Sequence, residues 1–418
     1  MKLETRCCVV GGGPAGMVLG WLLARAGVDV IVLEKHADFF RDFRGDTIHP
    51  STLELMHELG VLDEFLRVPH TRMDHLDLEI LGERVHGPDF REISTHCKFI
   101  ALMPQWDFLD FVKREASRYP GFQSIMEAEA TEVVREGDRV TGVVAKTPHG
   151  RLDIRADLVV GCDGRHSLIR DRAQLERRDL GAPIDVLWMH VSRSPHDGEQ
   201  VLGVFGAGKF LVMLDRRDYW QCAYVIEKGG LEALQRRGLA AFRDDIRSLV
   251  PMLGTRVGEI TTWDDIKLLT VVVDRLEQWW RPGLLCIGDA AHAMSPVGGV
   301  GINLAVQDAI AAANRLAAPL RDRTLTDKDL AAVQARRERP ARKIQRLQMM
   351  VHEHVLAKVL AGHGARTLRL VRFALRHAAP MRTYMARTLG VGQLEHVTID
   401  EATPPTVDTR PAAHPSRA

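Results

Sequence analysis

The sequence predicts an α/β protein. A domain built on buried parallel strands is interrupted by a mixed β-sheet domain and followed by a helical C-terminal region. Three observations predict this. First, short strands apolar throughout recur far apart in the chain: RCCVV at 6–10, VDVIVLEK at 28–35, DLVVGCDG at 157–164 and LLCIGD at 284–289. Such runs suit strands covered on both faces, as parallel strands are. Second, stretches between them, such as KFLVML at 209–214 and YWQCAYVI at 219–226, alternate like half-exposed antiparallel strands. Third, the chain from about Lys328 to Gly390 is helical in pattern and rich in Arg. The predicted division is 1–72, 101–182 and 276–330 for the interrupted domain, and 73–100 and 183–275 for the inserted sheet. Residues 331–395 form the C-terminal helices, and 396–418 a Pro-rich tail without order.

The totals agree with this organisation. A chain of 418 residues with 45% hydrophobic content supports more than one core. A net charge of +1 lacks the basic excess of nucleic-acid readers. None of the six cysteines (Cys7, Cys8, Cys97, Cys162, Cys222, Cys286) has C-x-x-C spacing, so no metal or redox motif is present and buried thiols are expected. The first apolar stretch is broken by glycines, unlike a signal peptide, and no apolar run reaches the roughly 18 residues of a membrane span. A cytoplasmic protein without stable membrane insertion is expected; oligomeric state is not legible.

The first unit is strand, helix, strand. RCCVV leads into Gly11-Gly12-Gly13-Pro14-Ala15-Gly16, then a helix closed by Gly27, then a strand ending at Glu34 and Lys35. In this setting G-x-G-x-x-G is the fingerprint of a Rossmann-like dinucleotide-binding domain. Gly11 permits the tight turn, Gly13 lets the backbone approach a pyrophosphate, and Gly16 lets helix and strand pack closely. The helix N-terminus offers free N–H groups and a positive dipole end to phosphate. Glu34 suits ribose hydroxyls and repels a 2′-phosphate. A second element, Asp163-Gly164-Arg165-His166-Ser167, follows another buried strand. There Asp163 can reach the pyrophosphate region, with Arg170 to pair.

The third element, GDAAHAMSPVGGVGINLAVQDA at 288–309, argues for FAD over NAD. Asp289 ends a buried strand, where a carboxylate can hold a polyol hydroxyl. Gly298, Gly299 and Gly301 let a flat ring and a ribityl chain lie against backbone. A helix from Ile302, with Asn303 in its first turn, aims N–H groups at a ring oxygen that gains charge on reduction.

In this order GGGPAG with Glu34, DGRHSLIR and GDAAHAMSPVGGVGINLA resemble the three motifs of the single-component flavoprotein aromatic hydroxylases, the p-hydroxybenzoate hydroxylase-like FAD monooxygenases. The resemblance covers about residues 5–330. It extends to RGDTIHPSTLELMHELG, where Arg44 matches the family's arginine near flavin and pyridine nucleotide, and to MPQWDFLDFV, with Gln105 on the flavin side. It implies non-covalent FAD, reduced by NADH or NADPH as a transient co-substrate, and a C4a-hydroperoxide formed with O2 that hydroxylates a small, phenol-like or polycyclic aromatic. The implied cofactor set is Gly11, Gly13, Pro14, Ala15, Gly16, Glu34, Lys35, Arg44, Gln105, Asp163, Asp289, Pro296, Gly301, Ile302 and Asn303. Arg44 would also position the reductant. Met189, Met213, Tyr224 and Pro296 are candidates for the substrate wall. Two alternatives stay open: a flavin-dependent reductase of the same fold, geranylgeranyl reductase-like, and a non-catalytic FAD-binding protein. His292 reads as a structural donor near the phosphates, and His49 as a loop residue near the flavin. Arg366, Arg369, Arg372 and Arg376 mark a basic helix face that either belongs to a helix covering its own domain or touches a membrane.

Overall fold

The computed structural model describes residues 1–40, 47–197 and 203–402. Its main sheet has eight strands, with the path Trp280–Arg281, Leu284–Cys286, Gly150–Gly161, Lys2–Val10, Val30–Leu33, Phe122–Ile125. From Leu284–Cys286 onward every neighbour along that path is parallel. A hairpin of Glu129–Glu136 and Arg139–Thr147 pairs antiparallel with the first half of Gly150–Gly161. The apolar runs are the buried ones: Cys7–Val10, Val30–Leu33, 158–161 and Leu284–Cys286. The helix Pro14–Arg25 packs against Gln105–Ala116 and against the long helix Gly301–Arg321.

The second sheet has seven strands, in the order Lys267–Leu269, Ile184–Ser192, Tyr219–Glu227, Lys209–Asp215, Gly203–Gly206, His75–Ile80, Glu83–Asp89. It is mixed, because Gly203–Gly206 runs parallel to His75–Ile80 while the other pairs are antiparallel. Half-exposed strands were the expectation, yet Tyr219–Glu227 is buried at seven successive positions. The reason is cover on both faces. One face meets Phe242, Ile246 and Leu249 of the helix Leu239–Leu249. The other meets Leu356, Leu360 and Val297.

The C-terminal region is helical, as expected. Asp327–Val351 runs through a π-helical turn at His352–Leu356 into Ala357–Leu360, followed by Ala365–His377 and Ala379–Gly390. Two expectations are corrected here. The division at 330/331 falls inside a helix; the break lies at 322–326, because Thr326 and Asp329 form a capping box that starts the second helix. Residues 396–402 are not part of a free tail. Val397 N–H donates to Glu58 at 2.8 Å, Thr398 N–H to Asn314 at 2.9 Å, and Ala402 N–H to Arg25 O at 3.0 Å. The remainder of the Pro-rich segment, 403–418, lies outside the described residues. Among the described residues all six cysteines are free and buried, and no helix is long and apolar enough to cross a membrane.

Candidate cofactor site

Three separated motifs meet at one end of the main sheet because its register brings their strands together. Val10 pairs with Leu33 on one side and Gly161 on the other, and Gly161 pairs with Cys286. Gly11 N–H donates to Leu33 O at 2.8 Å, Cys162 N–H to Val10 O at 2.7 Å, and Ile287 N–H to Gly161 O at 3.1 Å. These are the carboxyl ends of parallel strands, where α/β sheets bind ligands.

The fingerprint glycines differ in what surrounds them. Gly11 has φ +109°, and a Cβ there would lie 2.4 Å from Cys162 O. A Cβ on Gly16 would lie 2.0 Å from Gly11 O, so helix and turn touch through bare backbone. Gly13, the N-cap of Pro14–Arg25, has no protein atom within 4 Å of such a Cβ. Pro14, which has no N–H, opens the first turn, and Ala15 N–H is one of the donors that the start of a helix leaves without an internal partner. At the end of the second strand Glu34 accepts from Gly12 N–H at 3.1 Å and His36 N–H at 3.0 Å, with Lys35 exposed beside it. Gln105 begins the neighbouring helix Gln105–Ala116, half-buried.

The second motif is turned inward. Asp163 accepts from Ser167 Oγ at 2.5 Å and Ile169 N–H at 3.1 Å, capping the short helix Leu168–Arg172. Burial pushes its pKa up against those bonds. Arg170 does not pair with Asp163; it is buried and donates to Arg165 O at 3.1 Å and Ala290 O at 3.4 Å. It therefore ties the second motif to the third.

In the third motif Gly288 takes φ +61°, and Asp289 opens the short helix Asp289–His292 with its carboxylate partly exposed, 3.8 Å from Arg165. His292 is buried and its Nε2 lies 2.5 Å from Asp308 Oδ2, which also accepts from Gly288 N–H at 3.1 Å. Asp308 Oδ1 accepts from Arg337 Nε at 2.9 Å, and Arg337 reaches Glu395 at 3.0 Å. Burial alone would raise the Asp308 carboxyl; the charges and hydrogen bonds of His292 and Arg337 outweigh it and hold it below the usual range. The sequence reading placed His292 as a donor near phosphates but missed Asp308, Arg337 and Glu395. The available signal was an acid inside the apolar run INLAVQDAIAAA.

The glycine loop is held from three sides. Gly301 and Ile302 open the long helix, in which the first internal bond is Leu304 N–H to Val300 O at 2.9 Å. The Asn303 side chain is committed within the protein: Oδ1 accepts from His49 N–H at 2.9 Å and Thr52 Oγ1 at 2.7 Å, while Nδ2 donates to Thr47 O at 3.2 Å. Only its backbone remains for a ligand. His49 is fully buried. Its Nδ1 faces Leu389 O at 2.7 Å and so carries the proton, and burial pushes the ring down to about 4. On the third side Gln345 donates to Asp274 O and Ala293 O. Gln348 brackets Pro296, donating to Ser295 O and Val297 O at 2.9 Å each and accepting from Ser295 N–H at 3.2 Å. His352, in the π-turn, meets Ser295 Oγ at 2.8 Å. These three residues recur on one helix face and were also missed.

Met189, Met213 and Tyr224 lie on the sheet face packed against Leu239–Leu249, away from the glycine loop. The pleat alternates, so their neighbours Trp188, Val212, Ala223 and Val225 share the cluster that includes Val297. Arg44 lies outside the described residues. Elsewhere, among the described residues, His75, Asp77 and His86 form the one group spaced for a metal. Arg84 donates to Asp77 at 2.7 Å and supplies the cation there.

Comparison with known proteins shows the family. The family described as FAD binding domain matches residues 4–347. The chain is 34% identical over 359 residues to 6-methylpretetramide 4-monooxygenase of Streptomyces rimosus, covering 85% of each. Among solved structures, p-nitrophenol 4-monooxygenase from Pseudomonas putida superposes with a TM-score of 0.76 at 20% identity, covering 94% of this chain and 99% of that one. Anhydrotetracycline hydroxylase from Streptomyces rimosus does so with 0.74 at 19%, covering 94% and 77%. At such identities the structural likeness speaks for the fold.

Proposed function

This chain belongs to the FAD-binding-domain family, and from that premise we propose that it is an FAD-dependent monooxygenase that hydroxylates a polycyclic or phenol-like aromatic molecule. The observation that carries the proposal is the junction between the two sheets. Val297, in the loop 296–299 at the cofactor end, packs in one cluster with a sheet face of Val186, Trp188, Val212, Ala223 and Val225. Val186, Ala223 and Val225 are covered there, while Trp188 and Val212 stay partly exposed and would offer a planar apolar substrate a dry wall beside the loop that would face the flavin.

Bound FAD, reduced by NADH or NADPH, supplies the electrons that activate O2 so that one oxygen atom enters the aromatic ring. The chain's own residues do the rest. Gly13 and the first turn of Pro14–Arg25 receive the pyrophosphate, and Glu34 receives the ribose. Asp289 holds the ribityl chain. The first-turn N–H groups of Gly301, Ile302 and Asn303, which precede the first internal bond of the helix, would serve the ring edge that gains charge on reduction. Gly301, where a Cβ would meet only Met294 at 4.0 Å, leaves room for the ring, whereas Gly298 and Gly299 are bare because Leu389 and Thr47 crowd them, at 2.8 and 2.6 Å from a Cβ. The apolar sheet face excludes water, which limits loss of reducing power to peroxide.

The test is NAD(P)H oxidation with 6-methylpretetramide and simpler phenols, with peroxide measured in parallel and labelled O2 supplied. Substrate should raise oxidation about tenfold, which is a barrier change of about 1.4 kcal/mol. Product should carry one labelled oxygen. Equal turnover without oxygen would point to a reductase instead. Bound FAD with no turnover by any reductant would point to a binding protein.

A further inference from the structure

Residues 354–394 contain no acidic side chain but seven Lys and Arg: Lys358, Arg366, Arg369, Arg372, Arg376, Arg382 and Arg387. The whole chain carries a net charge of only +1, so this is local concentration rather than general basicity. Within the run, the helix Ala365–His377 turns Leu368 and Leu375 inward against Ile80, Val85 and Val359. Its outward side is not simply polar. Leu370 is 62% exposed and Phe373 64% exposed. They are three residues apart and therefore neighbours on the helix surface.

Cations flank this apolar pair along the same side. Arg366 and Arg369 are exposed one turn before Leu370 and Phe373, and Arg376 is exposed one turn after Phe373. Arg372 and Arg376 are anchored to Glu83, at 2.5 and 2.7 Å, which fixes the helix on the sheet edge. Arg366 and Arg369 have no acidic partner among the described residues.

We propose that this outward face docks the enzyme on an anionic lipid surface, with Leu370 and Phe373 entering the interface and Arg366 and Arg369 meeting lipid phosphates. An apolar stripe bordered by arginines on a helix is the pattern of an interfacial helix. Charge argues against a second copy of the same face, since the charges left without an acidic partner on it, Arg366 and Arg369, are cations and would repel their own copies. The exposed Leu and Phe argue against a purely electrostatic partner such as nucleic acid. The proposal goes beyond the oxygenation reaction and does not depend on it.

The experiment is sedimentation of the FAD-loaded enzyme with phosphatidylcholine vesicles, with and without phosphatidylglycerol, at low and high salt. Binding should require the anionic lipid and weaken with salt. Arg366→Ala and Arg369→Ala should each weaken it about fivefold. Leu370→Ser with Phe373→Ser should abolish what remains at high salt. All four positions are exposed, so thermal melts should match wild type. The proposal fails if neutral vesicles bind equally well. It also fails if the variants sediment like wild type, or if the Ser variant changes the oligomeric state in gel filtration, which would identify a second copy as the occupant.

Discussion

Gly13 and Gly16 lie three residues apart in one fingerprint, and substitution should separate cofactor binding from folding. Gly13 has φ −76° and ψ −176°, a conformation open to any residue, and no protein atom lies within 4 Å of the place a methyl would take. Gly13→Ala therefore gains about 0.4–1 kcal/mol from reduced freedom of the unfolded chain. It gives up a similar amount because Ala is a poor N-cap. The apoprotein should melt close to wild type, and Gly13→Val likewise. The cofactor is another matter. A side chain at Gly13 stands in front of the first-turn N–H groups, and losing two charge-assisted bonds to phosphate costs about 3–6 kcal/mol. That is a hundredfold or larger loss of FAD affinity. Gly16→Ala should do the reverse, since its Cβ would lie 2.0 Å from the Gly11 carbonyl. Helix and turn must separate, at about 3 kcal/mol or more of stability. The assay pairs apoprotein melting with FAD titration by flavin fluorescence. If Gly13→Val kept wild-type FAD affinity, or lost as much apoprotein stability as Gly16→Ala, the assignment of this turn to phosphate would be wrong.

The residues that support the site can be tested in three further ways. Asp308→Ala removes three bonds and leaves Arg337 buried with Glu395 alone, so the urea midpoint should fall by the equivalent of about 3–5 kcal/mol; Asp308→Asn should cost less, and equal values would refute the charge argument. Gln348→Ala frees both sides of Pro296 and should raise the peroxide fraction during turnover while the global melt moves little; an unchanged peroxide fraction would remove Gln348 from control of the loop. His352 and His49 are both held down to about 4 by burial, against about 6.5 in the unfolded chain. Between these values the unfolded state takes up protons that the folded state refuses. Stability should be flat above about pH 7 and fall as pH drops toward 4, by up to about 3 kcal/mol per histidine. His352→Gln should flatten part of that slope, and a slope identical to wild type would count against it.

What could be read from the sequence depended on how local the physical demand was. In the first motif the turn and the helix contact were legible because Gly11 and Gly16 each exclude a side chain. The buried parallel strands were legible because cover on both faces leaves no polar position. The same cover hid the orientation of Ile184–Ser192 and Tyr219–Glu227. With both faces apolar, nothing in the pattern tells Met189 from Trp188, and a one-residue slip exchanges the faces. The buried charges were hidden for another reason. Asp308, Arg337 and Glu395 are partners across long stretches of chain, and only the oddness of an acid among alanines marks the first. The partners of the Asn303 side chain were hidden too, because sequence does not show that Thr47, His49 and Thr52 fold over its amide.

The path of the main sheet also sets a timetable. Its first two strands are complete at Leu33, but the strand Leu284–Cys286 emerges only after about 250 further residues have been made. At ribosomal rates of about 5–20 residues per second that interval is roughly 12–50 s. Until Gly150–Gly161 is made, the edge of Lys2–Val10 that it will cover stands unpaired; from residue 161 to residue 284 the apolar edge of Gly150–Gly161 has no neighbour beyond its hairpin, while the inserted sheet is still being completed. Arg337 must then wait for Glu395. The nascent chain is thus exposed along an unpaired edge for most of its synthesis, and loading of the cofactor is confined to its end. Expression should respond to chaperone supply and to slower translation at low temperature more than to any single substitution on the surface.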